Sequence, residues 1–426
     1  MPSPARWAGE GFFFLEPTTN SGPFERLRSD ARRSETTLNE RLIESDRPRL
    51  FTASFTALLV AQTCFGYAFS SFFLLPTFML RELGASATQV GWVMSLAAAG
   101  IVVFLPMLGM AVDRVGRRGF LIAGGLLMGV ASLGFLFVES VGPLLYGLRL
   151  LQALAFSMAF AAGGAMAIDE APPERMGQAM GLFGLTFLAM NGVASAAVEQ
   201  IAEHFSWNSA FAIAGIAALA CALLALRIRE SFVPPARTEA AKPRVGGPVS
   251  IRSMLIMACI GAALLAMFNF VQLYAEELGL ANVSLFFVAY AIAASVVRAG
   301  FGHLLDEWGH RRVAIAALAL YILVVLATVR LDVFGLIVIG GLLGLCHGSF
   351  YPAFSAASLL AGGPEARGRV IAFVQAAFNV GAGASAVFGM LADRAGYTAV
   401  FYAAAAALAF GWLLLVTSPK STQATG

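Results

Sequence analysis

The sequence has 426 residues, of which 59% are hydrophobic and only 12% are charged. An average soluble domain has roughly 45–50% apolar and about 25% charged residues, so this composition excludes an ordinary soluble fold. The net charge of +3 does not come from one basic patch, and no nucleic-acid partner is expected. The four cysteines lie singly in apolar runs, a pattern that excludes paired-cysteine zinc sites and disulfide frameworks.

Residues 1–50 differ from the rest of the chain. They are polar, mix arginines with acidic residues, and contain one short apolar run from Gly11 to Leu15. A secretory signal needs about 7–15 apolar residues, so this run is too short to be one. The segment is predicted to be a cytoplasmic N-terminal extension.

Twelve apolar runs follow, each long enough for a bilayer core that needs roughly 20 residues per helix. The first six lie approximately at 51–80, 88–111, 119–138, 142–168, 178–201 and 207–226. The other six lie at 254–274, 283–305, 313–329, 333–360, 369–391 and 399–418. Residues 227–253, with prolines and basic residues between the two sets, are predicted to be a cytoplasmic linker, and 419–426 a cytoplasmic tail.

The basic residues predict the orientation, because short basic loops stay in the cytoplasm. With the N-terminus inside, nearly all of the 28 Lys and Arg residues are cytoplasmic, and only Arg81, Arg330 and Arg394 face outward. Arg149 and Arg298 fall within helices. Both termini are therefore predicted to be cytoplasmic, in agreement with an even number of helices in a multi-pass protein of the inner membrane.

Two loops carry the same pattern, in which glycine is followed after four positions by aspartate, after three more by glycine, and then by arginines. The copies comprise Gly109, Asp113, Arg114, Gly116, Arg117 and Arg118 after the second helix and Gly302, Asp306, Gly309, Arg311 and Arg312 after the eighth. A second pair of loops, 173–177 and 364–368, repeats at nearly the same offset. These repeats indicate duplication of a six-helix unit, with bundles at 51–226 and 254–418.

The composition of these loops is suited to gating. Glycine lets a neighbouring helix approach closely, an aspartate at a helix end can bind the positive N-terminus of a partner helix, and arginine can pair with it. The loops are therefore expected to join helices on the cytoplasmic face and to release them when the halves move. The alternative is a charged turn that only fixes the topology.

The loop pattern resembles the signature loop of the major facilitator superfamily. Arg149, Gln152 and Ala153 in the fourth helix are similar to the family's Arg-x-x-Gln-Gly element, with alanine in place of the glycine. The resemblance covers residues 50–418 and implies two pseudo-symmetric six-helix bundles, a central cavity and alternating access by rocking of the halves. It extends to bacterial efflux-type permeases through the Tyr351-Pro352-Ala353 stretch and the loop from Pro364 to Arg369.

Polar residues deep in membrane helices are costly and tend to face a bundle interior or a water-filled cavity. Candidate substrate-binding residues are therefore Gln62, Tyr67, Arg149, Gln152, Asn191, Asn269, Gln272, His347, Tyr351, Gln375 and Asn379. For an Asn or Gln the alternative is a hydrogen bond between helices, worth about 0.6 kcal/mol on average. Arg298 lies one turn from a basic loop and is expected to extend toward it.

No acidic residue is predicted at mid-helix, which leaves Glu199, Glu276, Glu277 and Asp113 near helix ends as candidates for proton coupling. His347, with an unperturbed pKa of about 6.5, could also carry a proton. Facilitated diffusion, or coupling through His347 and Arg149, stays open.

The sequence lacks a nucleophile with a base, a metal-ligand cluster and a phosphate-binding loop, so no enzyme, ATP-driven pump, cofactor or metal is expected. The prediction is a monomeric secondary active transporter for a small organic solute, with efflux preferred through the resemblance and proton coupling left open. One alternative is an importer of an organic anion or nutrient, in which Arg149 would bind a carboxylate. Another is a non-transporting membrane sensor or scaffold.

Overall fold

The computed structural model describes residues 50–230, 250–300, 308–362 and 367–418. The first six helices are Ala53–Leu83 (α1), Ala87–Val115 (α2), Arg118–Phe137 (α3), Pro143–Asp169 (α4), Met176–His204 (α5) and Trp207–Ala225 (α6). The other six are Ile251–Glu277 (α7), Ser284–Gly300 (α8), His310–Arg330 (α9), Val333–Gly362 (α10), Arg367–Ala382 with Ser385–Ala395 (α11), and Tyr397–Val416 (α12). The N-terminal extension, the tail, most of the linker, and Gly302 and Asp306 lie outside the described residues.

These helices confirm the predicted all-α membrane fold. Eleven are long and apolar enough to cross a membrane, and α8 is a shorter apolar helix that reaches the edge of a described range. Each described boundary lies within a few residues of the predicted one, because charged residues and Gly/Pro clusters end the apolar runs.

Two helices depart from a continuous run. In α1 a 3₁₀ turn, Ser71–Leu74, precedes Pro76, which has no N–H to donate to the preceding turn. In α11 the helix is interrupted between Ala382 and Ser385. The Ser95 hydroxyl of α2 donates to the Gly383 carbonyl (2.7 Å) and accepts from the Ala386 N–H (2.7 Å), so a side chain satisfies backbone groups freed by the interruption.

The two halves pack in the same way. In the first half, α1 contacts α5 and α6, α3 contacts α4 and α6, and α2 contacts α4. The second half has the equivalent contacts: α7 with α11 and α12, α9 with α10 and α12, and α8 with α10. The halves meet along two seams, α5 with α8 and α2 with α11. These seams are equivalent, because α11 is the counterpart of α5 and α8 is the counterpart of α2. The structure is therefore two pseudo-symmetric six-helix bundles.

Glycines allow the close approach at the α2–α11 seam. A Cβ on Gly91 would overlap the carbonyl oxygen of Ser385, and a Cβ on Gly389 would overlap that of Ala87. Small residues are what bring helix backbones together inside membranes, where no hydrophobic force acts between apolar surfaces. Substitution of either glycine would force the two halves apart at this seam.

Candidate functional site

Both ends of the bundle carry charged residues, but among the residues that the structure describes the polar side-chain contacts between the halves lie toward one end. The end with Arg81, Glu199, Glu276 and Asp393 is called the joined end. The opposite end, with the segment Asp113–Arg118 and with Arg311 and Arg312, is called the basic end. The candidate transport site lies between the halves, between these two ends.

Two carboxylates at the joined end bind the first N–H groups of helices in the other half. Glu199 of α5 is only 7% exposed, and its Oε2 accepts from the N–H of Ser284, which begins α8 (3.0 Å). Asp393 of α11 accepts from Ala87 and Thr88, which begin α2, at 3.0 and 2.9 Å. The positive N-terminus of a helix favours such carboxylates. Each seam is therefore closed by the same kind of charge-assisted cap.

A third contact at this end joins α1 to α7. The Gln272 side chain accepts from the Thr77 hydroxyl (2.7 Å) and donates to the Phe73 carbonyl (2.9 Å). One turn further along, Arg81 pairs with Glu276 at 2.5 Å. Gln272, predicted to bind substrate, is thus engaged between the halves in this conformation.

At the basic end the repeated loops bind their own halves. Arg118 donates to the Ala225 carbonyl (3.2 Å) and to the Leu226 carbonyl at the end of α6. Its counterpart Arg311 donates to the carbonyls of Leu415, Val416 and Ser418 at the end of α12, at 3.2, 2.9 and 3.0 Å. Basic side chains stabilise helix C-termini in this way.

The aspartate of the first loop has no polar partner among the described residues. Asp113 and Arg114 are exposed, and Asp113 forms no hydrogen bond or ion pair with a described residue. Arg117 pairs instead with Asp169 at the end of α4 (2.8 Å). Gly116 has a φ of 117°, and Gly309, at the same place in the second loop, has a φ of 83°, a conformation that glycine adopts without strain. Arg312 is exposed.

The first-half surface of the site combines a buried cation with aromatic rings along α4. Arg149, Gln152, Phe156 and Phe160 are spaced at three, four and four residues and share one helix face. Arg149 is 6% exposed; it donates to Gln152 Oε1 (2.6 Å) and approaches the Met94 sulfur (3.6 Å). Arg149 Nε and Gln152 Nε2 are buried and have no partner among the described residues.

The rings of this face belong to a larger cluster. Phe69 of α1 stacks on Phe156 with centroids 4.4 Å apart, and Phe156 stacks on Phe160 at 5.2 Å. Phe187 of α5 contacts Phe156 and Phe160 edge to face, at 6.1 and 5.6 Å. These four rings are only partly buried, so each keeps some surface available to another apolar group.

Gln62 and Asn191, two other polar candidates of this half, bind neighbouring helices. Gln62 donates to the Ala159 carbonyl (3.1 Å), while its Oε1 is buried without a partner among the described residues. Asn191 accepts from Ser70 (2.9 Å). Tyr67 is partly buried. For Asn191 the hydrogen bond between helices, the alternative considered above, describes the observed contact.

The second-half surface contains a linked polar group on α8, α10 and α11. The Tyr290 hydroxyl bonds His347 Nδ1 (2.7 Å), and Tyr351 donates to Gln375 Oε1 (2.5 Å). Asn379 donates to the Gln375 carbonyl (2.9 Å). His347 is 8% exposed, and its Nε2 has no partner among the described residues. Outside this group, Asn269 donates to Ser385 of α11 (3.0 Å).

Arg298 lies in the last described turn of α8, and most of the loop toward which it was expected to extend lies outside the described residues. It is exposed, and its guanidinium lies near Gly184 of α5. It therefore adds a cation to the second-half surface, opposite the helix that carries Phe187.

Carboxylates are confined to the periphery. Every Asp and Glu of the described residues lies in a loop, a 3₁₀ turn or the last two turns of a helix. Arg149 lies in the second turn of α4 and Arg298 in the last described turn of α8, and neither pairs with an acidic side chain from the described parts of the chain. This distribution gives the site a positive potential.

The fold agrees with the comparisons with known proteins. The model of the Major Facilitator Superfamily matches residues 56–329 and 254–426. The chain belongs to the Major Facilitator Superfamily. The predicted family membership and twelve-helix fold are thereby confirmed, and the chain is a multi-pass membrane transporter of a bacterial type.

Relatives within the superfamily cover most of the chain. The multidrug resistance efflux pump PmrA of Streptococcus pneumoniae is 27% identical over 360 residues, which are 80% of this chain and 89% of that protein. The PmrA homologue of Lactococcus lactis is 26% identical over 75% of this chain and 83% of its own length. The multidrug resistance protein MdtG of Yersinia enterocolitica is 26% identical, over 82% of this chain and 89% of its own length.

Solved structures show the same fold. A bacterial homologue of the human lysosomal transporter Spinster, in an inward-facing and unoccupied conformation, matches with a TM-score of 0.69 and 14% identity over 85% of this chain and 94% of that one. The nucleoside transporter NupG matches with a TM-score of 0.68 and 14% identity over 86% of this chain and all of its own. At these identities the likeness concerns the fold alone.

Proposed function

We propose that the chain is a secondary transporter that exports small organic solutes across the inner membrane by alternating access. The observation that carries this proposal is the pair of matched seams, closed by carboxylate caps at one end while Asp113 is exposed at the other. Helix caps that form at one end and release at the other are what rocking halves require. The preference for efflux rests on the relatives named as multidrug efflux pumps.

The basic end is proposed to face the cytoplasm. Its loops carry Arg114, Arg117, Arg175, Arg227 and Arg312, and short basic loops are retained on that side. The joined end then faces outward, and the described conformation is the inward-facing one. Both termini are cytoplasmic in this orientation, and the protein acts as a monomer.

The test is energised accumulation of labelled drugs, sugars and organic acids in a strain that lacks its major efflux pumps. Cells with the wild-type protein are expected to accumulate less of at least one compound, and Asp113→Asn to abolish the difference. Glu174→Gln is the matched control, because Glu174 is an exposed acid at the same end and is expected to behave as wild type. The efflux proposal would be overturned if no compound of the panel showed a decrease in accumulation that Asp113→Asn abolishes.

Import of an organic anion is the second candidate, favoured by the buried Arg149 with no described carboxylate beside it. In that case the same assay gives higher accumulation of the organic acids in cells with the wild-type protein. Coupling to protons is proposed for export and for import alike. The groups available for it are His347, whose Nε2 has no partner among the described residues, and the joined-end carboxylates Glu199 and Asp393, whose helix caps protonation would weaken. Asp113 at the basic end is a further candidate.

A further inference from the structure

The donor groups of Arg149 outnumber the acceptors that surround it. A guanidinium has five N–H donors, and its acceptors in the described parts of the chain are the Gln152 side-chain carbonyl oxygen and the Met94 thioether sulfur. A buried charge is costly unless it is paired and hydrogen-bonded. The unpartnered Arg149 Nε and Gln152 Nε2 are donors one helical turn apart, and a single oxyanion can accept hydrogen bonds from both.

The aromatic rings begin two turns further along the same helix face. Seven residues separate Arg149 from Phe156, which is about 10 Å at 1.5 Å per residue. Partly buried phenylalanines hold planar rings by offset stacking or edge-to-face contact. A solute with an anionic head at Arg149 would therefore place an aromatic body against Phe69, Phe156 and Phe160.

The charge distribution disfavours cationic solutes. Arg149 and Arg298 would both repel an ammonium group, and no carboxylate of the described residues lies near enough to the site's centre to bind one. A neutral solute would leave the buried guanidinium uncompensated. An aromatic anion is the class that satisfies both the charge and the rings.

We propose that Arg149 and Gln152 form the oxyanion-binding part of the transport site and that its solutes are aromatic compounds bearing a carboxylate or sulfonate. The proposal rests on the proposed transport function and specifies its substrate class. It concerns binding, which can be measured without transport.

The experiment compares three ligands with one ring system: naphthalene-2-carboxylate, naphthalene-2-carboxamide and naphthalen-2-ylmethylammonium. Their dissociation constants are measured on the purified full-length protein in lipid nanodiscs, with empty nanodiscs subtracted. Wild type is expected to bind the carboxylate most tightly and the ammonium ligand most weakly. This order tests the proposal without any variant, and equal or tighter binding of the ammonium ligand would overturn it.

Variants then assign the preference to residues. Arg149→Gln is expected to weaken carboxylate binding about 30-fold or more, the usual cost of removing one partner of a buried charge pair, and to change carboxamide binding less than threefold. Arg149→Lys, which keeps the charge, restores part of the preference. Phe156→Leu is expected to weaken the carboxylate and the carboxamide alike, by about 3- to 10-fold.

The matched control is Arg330→Gln, which removes one positive charge from an exposed side chain outside the site and should leave all three constants within twofold. Equal weakening of all three ligands by Arg149→Gln would indicate a structural role and overturn the proposal. The proposal would also be overturned if Arg298→Gln abolished the preference for the carboxylate ligand and Arg149→Gln did not.

Failure of this inference is distinguishable from failure of the proposed function. Efflux of other compounds without a preference for the naphthalene carboxylate would overturn the anion site and leave efflux standing. If the carboxylate bound in an Arg149-dependent way but were not exported from cells, the anion site would stand and the efflux proposal would be overturned.

Discussion

Replacing Glu199 by alanine is expected to destabilise the joined end by about 2 kcal/mol. The carboxylate is 7% exposed and caps the N–H of Ser284. A charge at a partly buried helix N-terminus contributes up to about 2 kcal/mol, and a lost cap costs roughly 0.5–2 kcal/mol. A change of 2 kcal/mol shifts the ratio of joined to separated conformations about 30-fold. Glu199→Gln keeps an acceptor and loses the charge, so it should shift the ratio less.

The assay is a distance measurement between two spin labels, one on each half at the joined end. Ser140 and Ala281 are exposed there and can be changed to cysteine after removal of the four native cysteines. Glu199→Ala is expected to transfer population from the short-distance peak to a longer one. Glu203→Ala is the control, because Glu203 lies one turn away and is exposed. An unchanged distribution in Glu199→Ala, or an equal change in the control, would refute the reasoning.

Three further variants test other contacts through the thermal stability of the solubilised protein. Arg118→Gln removes the bonds to the last carbonyls of α6 and is expected to cost about 1 kcal/mol. Tyr290→Phe leaves buried His347 Nδ1 without its bond and is expected to cost about 1–3 kcal/mol. Gly389→Ala places a methyl group against the Ala87 carbonyl and is expected to lower the melting temperature and, by the spin-label assay, to separate the joined end.

Each of these variants has a control of the same chemistry. Arg114→Gln and Tyr402→Phe change exposed side chains, and Gly341→Ala adds a methyl group where no other atom lies within 4 Å. The first two are expected to melt within about 1 °C of wild type, since exposed substitutions usually change stability by less than 0.5 kcal/mol. Gly341→Ala is expected to melt no earlier than wild type, because alanine favours a helix over glycine. A control that melts as early as its partner would contradict the corresponding contact.

The helices could be predicted from the sequence because the bilayer imposes a minimum length on each apolar run. The repeat of the loop could also be predicted from the sequence. Arg118 and Arg311 each bind the end of the last helix in their own half, as expected for two copies of one unit. The interruption of α11 was not predicted, because the serine that stabilises it, Ser95, lies nearly 300 residues away in the sequence.

The contacts of the joined end were also beyond sequence analysis. Glu199 appeared only as a candidate for proton coupling, and Asp393 was not singled out, because their partners are backbone N–H groups without a residue signature. Gln272 was noticed as a polar residue in a membrane helix, but its contact with Thr77 depends on how the halves are arranged. Sequence predicts which residues are costly in lipid; the conformation decides what they bind.

The two carboxylate caps differ in solvent exposure, and they should therefore respond differently to ionic strength. Glu199 is buried, whereas Asp393 is exposed, and dissolved ions screen the interactions of exposed charges more than those of buried ones. Added salt should therefore weaken the α2–α11 seam while leaving the α5–α8 seam nearly unchanged. A molecule built from two equivalent halves would then open asymmetrically, with one seam acting as the hinge for the other.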